Sequence, residues 1–172
     1  MPSSQEIQSA IAGEGYTFGF YPETNEYSWP WLIGEDADGK YVYSSNKLIN
    51  NSYAIMYSTF SVSEGQVVAF DYKLSTEADL DMFYVQVDGV LTMQSSGNVP
   101  EWQTCYAFVC DPLISGTQTH ELSFTYLNDE GAASGDDVVM VRNLRIVNEA
   151  EIAQNNQSII RSLSIYKFIP SL

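Results

Sequence analysis

Glu77, Asp79 and Asp81 fall two residues apart, between two runs with strand-like alternation at 67–74 and 82–87. Side chains of an extended chain repeat with period two, so an extended connector would set all three carboxylates on one face. Three like charges side by side repel and need a cation, a basic partner or open water. Asp136 and Asp137, before the last strand-like run, are candidates to complete a calcium site, because that ion takes six or more oxygens from separate segments. Asp36 and Asp38, in the string Gly34-Glu35-Asp36-Ala37-Asp38-Gly39, form a second acidic loop whose carboxylates can converge. Lys40, Tyr41 and Val42 follow it and supply neither the third oxygen ligand nor the bidentate glutamate of a helix-flanked calcium loop. The competing use of the 77–81 acids is a solvated edge that stops sheets pairing with one another.

The aromatic residues offer a different chemistry. Flat ring faces pack against pyranose rings, and Trp31, Trp102 and Tyr43 are the candidates for such a platform, with Trp29 beside them. Core packing is the competing use, and any exposed remainder marks a binding surface. His120 is the sole histidine, and no serine sits in a nucleophile-elbow context, so a catalytic triad or a zinc site has little to be built from. His120 is expected to help place the turn before its strand.

These groups need a scaffold. The 172 residues suffice for one domain with a proper core, and 45% hydrophobic with 13% aromatic residues excludes a disordered chain and favours strands. With 22 acidic residues against 7 basic ones and a net charge of -15, nucleic acid and anionic membrane are unsuited as partners. No apolar run is long enough to span a bilayer, and the first residues lack the pattern of a signal peptide. The expectation is therefore either a cytosolic protein or a segment of a longer precursor whose signal has been removed. Cys105 and Cys110, five apart on what reads as one strand, point to opposite faces, which predicts two free thiols.

Strand signatures recur along the chain. Tyr16, Phe18 and Phe20 alternate up to Pro22; further strands are predicted at 41–44, 53–62, 67–74, 82–87, 90–93, 102–110, 121–126 and 137–147. Asp88-Gly89 between valines predicts a tight antiparallel hairpin. About ten strands with turn signals roughly every ten residues, and no convincing helix between them, predict an all-β fold: a two-sheet antiparallel β-sandwich of the jelly-roll, concanavalin-like kind. The predicted organisation is an N-terminal arm at 1–14, loose or a short helix, the sandwich at 15–148, and a C-terminal extension at 149–172. That extension is read as an extra strand, a docked helix or a linker.

From about Trp29 to Val147 the chain resembles bacterial surface jelly-roll domains, the cleaved-adhesin domains of gingipain-type proteases and the related MAM-like modules. The matching pieces are a Trp followed by Asp36-Ala37-Asp38-Gly39, Asn51-Ser52 before a strand, Phe70-Asp71-Tyr72-Lys73 leading to Glu77, and Val87-Asp88-Gly89. Gly116, Thr119-His120-Glu121-Leu122, Phe124-Thr125-Tyr126, Asp129 and Gly135-Asp136-Asp137 continue the series. Two positions depart from the pattern: Lys40 stands where another acid would follow, and Arg142-Asn143 where an acid is expected in the last strand.

The resemblance implies a non-catalytic, extracellular or cell-surface binding module with a structural calcium ion and a glycan or cell-surface protein as ligand. A structural spacer in a large surface protein is the alternative. The Glu-x-Asp-x-Asp string also resembles the paired acids of laminarinase-type retaining glycosidases, where the first acid is the nucleophile and the last the acid/base. Here the last is Asp rather than Glu, and the chain is short for a long cleft.

Overall fold

The computed structural model describes residues 1–13, 18–22, 28–107, 116–131, 135–150 and 152, with the backbone alone described at 19–22. The chain begins with α1 (Ser4–Ile11). The Ser3 hydroxyl accepts the Glu6 N–H at 3.3 Å and the Glu6 carboxylate accepts the Ser3 N–H at 2.8 Å, a reciprocal cap that fixes the helix start. Ile7 and Ile11, one turn apart, are both buried in the main core, so the N-terminal segment is a docked helix.

Among the described residues eleven strands follow: β1 (Gly19–Pro22), β2 (Ser28–Trp29), β3 (Trp31–Asp36), β4 (Gly39–Ser44), β5 (Ser52–Val62), β6 (Gln66–Ser75), β7 (Met82–Val87), β8 (Val90–Ser95), β9 (Asn98–Ala107), β10 (Gln118–Asn128) and β11 (Val138–Asn148). They form two sheets, one ordered β1-β5-β10-β7-β8 with β2 added beside β5, the other ordered β3-β4-β11-β6-β9. Every pairing is antiparallel except β2 with β5. From β4 to β7 and again from β8 to β11 the chain passes from sheet to sheet, which is the jelly-roll form of a β-sandwich.

The inner faces are built by period-two burial. On β10, Leu122, Phe124 and Tyr126 are fully buried, as their shared spacing predicts. Phe124 meets Phe70 of the other sheet edge-on at 5.1 Å and stacks with Phe83 at 6.3 Å. At the β7–β8 hairpin both turn residues, Asp88 and Gly89, have positive φ (50° and 77°), the geometry a two-residue loop needs to match strand twist.

The stretch from Asn98 to Pro100, predicted as loop, opens β9, and Pro100 is tolerated there because β9 lies at a sheet edge. Cys105 on β9 is a free thiol that burial pushes up to about 12, whereas Cys110 and the strand end predicted around it lie outside the described residues. Of the extension at 149–172 only residues 149, 150 and 152 are described; the Glu149 N–H donates to the Gly65 carbonyl at 2.8 Å and Ile152 is buried. No described helix is long and apolar enough to cross a membrane.

Candidate functional site

The string 77–81 is a turn, not an extended connector, and its three carboxylates part company. Asp79 takes a left-handed φ of 65°, which breaks the period-two alternation. Its side chain is exposed and its N–H donates to the Ser96 hydroxyl at 3.0 Å. Asp81 turns inward to 1% exposure, where its carboxylate accepts the Glu77 N–H at 3.3 Å and the Asp129 N–H at 3.0 Å. It thereby ties the β6–β7 connector to the β10–β11 connector. An acid/base pair of the laminarinase type needs two carboxylates facing one cleft, and this turn does not present Asp81 to one.

Other acids gather near Asp81. A Cβ built on Gly131 would lie 2.8 Å from Asp129 Oδ1 and 3.1 Å from Glu77 Oε2, so the glycine leaves these two carboxylates close to one spot. Of the pair before the last strand, Asp137 is fully buried, while Asp136 is exposed and paired with Lys47 at 2.9 Å. The Tyr126 hydroxyl reports the local field: burial pushes its ionisation upward, and the charges of Asp81, Asp137 and Asp129 push it further. That hydroxyl, Asn46 Oδ1, Asn128 Nδ2 and Glu77 Oε2 are all buried without a hydrogen-bond partner. Among the described residues no three His, Cys, Asp or Glu side chains converge as a metal cluster.

Asp36 and Asp38 do not join this nest. They sit exposed at the β3–β4 turn, where the Asp38 N–H donates to Asp36 Oδ1 at 2.9 Å. The nest lies past the other end of β4, where the Ser44 hydroxyl accepts the Val139 N–H at 3.1 Å; six strand residues separate the two, about 20 Å of chain. Asp38 instead answers the protein's own cations, its carbonyl accepting Arg142 Nη1–H at 3.0 Å and its carboxylate lying 4.0 Å from Lys73 Nζ.

Those cations belong to the outer face of the five-stranded sheet. Gln103 pairs with Tyr72 and Val99 with Leu74, so Pro100, Glu101 and Trp102 stand together opposite Lys73. This bulge re-aims Trp102 across the face. It reaches Tyr41 of β4 at 6.1 Å although β6 and β11 lie between their strands, a span of roughly 14 Å of sheet. Arg142 lies over the indole with Cζ 4.0 Å from the ring centroid, and Lys73 Nζ is 4.8 Å from it. Tyr43 stands 6.2 Å from Tyr41. Across the strand pair from Tyr41 is Gly34, where a Cβ would lie 2.5 Å from the Tyr41 ring, so only glycine lets that ring lie against the sheet.

A second bulge sets the charges. Arg142 pairs with Asp71 and Arg145 with Ala69, so Asn143 and Leu144 oppose Phe70 alone, with Asn143 at φ 55°. The extra residue lets Arg142 and Arg145 share the outer face while Leu144 enters the core. Arg145 pairs with Asp71 at 3.2 Å, and Asp71 also accepts from Thr104 at 2.8 Å and Asn143 at 3.0 Å.

Of the expected platform residues, Trp102 and Tyr43 are on this half-exposed face. Trp31 is not: at 2% exposure it packs in the core against Phe124 at 6.3 Å and Phe83 at 6.5 Å. The reason is strand phase, since β3 turns Trp31 and Ile33 inward and Leu32 and Gly34 outward. Trp29 is 40% exposed on β2 of the other sheet. Sequence reasoning passed over Tyr41, Lys73 and Arg142. The spacing of Tyr41 and Tyr43 was a signal for a shared face.

The sequence matches no family model and no curated protein. Among solved structures, 86% of this chain aligns with 27% of the secreted serine protease VesC from Vibrio cholerae, at 17% identity and a TM-score of 0.56. The chain thus spans about a quarter of that protein's length. Looser likenesses include TmCBM61 in complex with β-1,4-galactotriose (8% identity, TM-score 0.42, 83% of this chain and 94% of that one). Another is the family 11 carbohydrate-binding module from Clostridium thermocellum in complex with a β-1,3-1,4-mixed-linked tetrasaccharide (15% identity, TM-score 0.40, 76% and 88%). At 17% identity the likeness to VesC is one of fold.

Proposed function

We propose that this chain is a non-catalytic glycan-binding module whose ligand surface is the outer face of the five-stranded sheet. The observation that carries the reading is the bulge that lifts Trp102 across the sheet to Tyr41, with Tyr43 alongside. Half-exposed rings held on rigid strands offer flat apolar area at low entropic cost, which suits pyranose rings. The polar rim of Asp38, Lys73 and Arg142 is suited to the hydroxyls around such a ring. A glycan array is the direct test. Binding by the wild type that Trp102→Ala or Tyr43→Ala abolishes, with melting temperature retained, supports the reading; a blank array favours the structural spacer.

A structural calcium ion belongs to the same proposal. The donor types suit a hard cation that would draw them together: Asp81, Asp129, Asp137 and Glu77 supply charge, and Asn46 Oδ1 and the Tyr126 hydroxyl are buried oxygens without hydrogen-bond partners among the described residues. A bound ion would neutralise these carboxylates and tie together residues of the connectors at 45–51, 76–81, 129–131 and 135–137. Extracellular modules bind calcium weakly enough to rely on the ion levels outside cells, which agrees with a secreted or surface-attached, adhesin-like role of the kind the cleaved-adhesin resemblance implies.

A further inference from the structure

We propose that the glycan taken by this face is acidic, with a sugar carboxylate received by Arg142; this rests on reading the face as a glycan surface. The chain carries 22 acidic residues and 7 basic ones, so its cations have acids to spare as partners. Most of the described ones use them: Arg145 pairs with Asp71, Lys47 with Asp136, and Lys73 lies 4.0 Å from Asp38. Among the described residues Lys40 and Arg142 have no carboxylate partner, and the one hydrogen bond of Arg142 gives Nη1–H to the Asp38 carbonyl at 3.0 Å.

Its position explains what it is kept for. With Cζ 4.0 Å from the Trp102 ring centroid, the guanidinium is held against the indole while its remaining N–H donors are left for a ligand. The tether to the Asp38 carbonyl holds it from one side, and the bulge at Asn143 sends Arg145, not Arg142, to Asp71. Arg142 stands on β11, the middle strand of the sheet, beside the rings of Trp102 and Tyr41. A sugar lying on those rings brings its ring substituents to this guanidinium, whose planar fork matches a carboxylate in two parallel bonds. Lys73, over the same indole at 4.8 Å, adds a second positive charge. Neutral hydroxyls can accept from these two cations, but a carboxylate also answers their charge, in a chain whose net charge is -15.

Sugar carboxylate and sugar sulfate share this chemistry, and the test separates them. The full chain, in calcium, is titrated calorimetrically with tetramers of galacturonate and mannuronate, the matching neutral galactan and mannan tetramers, and a sulfated galactan tetramer. The expected result is uronate binding at least tenfold tighter than its neutral match and tighter than the sulfated form. That preference should shrink about tenfold in Arg142→Lys, which keeps the charge and loses the fork. Neutral tetramers bound as tightly as uronates overturn the inference and leave the glycan reading standing. No binding of any probe overturns both. Tighter binding of the sulfated tetramer, or an unchanged preference in a folded Arg142→Lys, removes the carboxylate fork. The wild-type comparison needs no variant, so misfolding of Arg142→Lys does not shield the inference.

Discussion

Replacing Asp137 by asparagine should roughly halve the response of thermal stability to calcium without unfolding the protein. Asp137 is fully buried, and its charge acts with those of Asp81 and Asp129 on the Tyr126 hydroxyl. Asparagine keeps the size and one oxygen but removes a negative charge. An ion present at a hundredfold excess over its Kd stabilises the wild type by about 2.7 kcal/mol. For a chain of 172 residues each kcal/mol moves Tm by about 2–4 °C, so calcium should raise Tm by about 5–11 °C over chelator. A tenfold weaker site in Asp137→Asn removes about 1.4 kcal/mol of that, or about 3–6 °C. In chelator the sign reverses, because fewer like charges then share a buried space, and the variant should melt at or above the wild type. Scanning calorimetry of both proteins in calcium and in chelator reads all four values. A wild type with no calcium shift, or a variant destabilised equally in both buffers, would falsify the nest as a cation site.

Three other outcomes follow from the geometry. Gly34→Val should push the Tyr41 ring off the sheet and weaken glycan binding about five- to tenfold, with little change in Tm, because the 2.5 Å clash is with the movable end of a side chain; unchanged affinity by calorimetry would remove Tyr41 from the surface. Phe124→Ala should cost about 3–5 kcal/mol in urea unfolding, since Phe124 is fully buried against Phe70 and Phe83; a loss under 1 kcal/mol would contradict the packing described. Burial opposes ionisation of Asp88, but the Glu121 N–H and His120 outweigh it and hold the carboxyl below its usual range. Its contribution is therefore present above the unfolded carboxyl value of about 3.9 and lost as pH falls through the lower folded value. Asp88→Asn should flatten the fall of Tm below about pH 4, and an identical acid limb in the two proteins would show that Asp88 does not contribute.

The architecture was legible because period-two burial is written in residue types. The alternation of Leu122, Phe124 and Tyr126 and the Asp88-Gly89 pair led directly to a central strand and a hairpin. The acidic string misled, because spacing alone presumes an extended backbone and Asp79 turns left-handed. Trp31 misled for a related reason: a flat ring serves a sugar platform or a core equally well until strand phase is known, and β3 points it inward. The binding face was the least legible part. It depends on two bulges, near Pro100 and at Asn143, that move side chains by one register step and bring together residues from four strands. No local pattern in the chain records which strands lie side by side. The departure of Arg142-Asn143 from the adhesin pattern was visible in the sequence, and that is where the structure sets its stacked, carboxylate-free arginine.

The central claim is that the outer face of the five-stranded sheet receives a glycan, and a nuclear magnetic resonance titration with a soluble oligosaccharide tests it most directly. The indole N–H of Trp102 is a built-in reporter, since it is buried without a hydrogen-bond partner beside the proposed ligand. The account predicts shifts at Trp102 Nε1–H and at the amides of Tyr41, Tyr43, Lys73 and Arg142, with Trp29 on the other sheet unmoved. Shifts confined to Trp29 and its sheet, with the Trp102 signal unchanged at saturation, would contradict it.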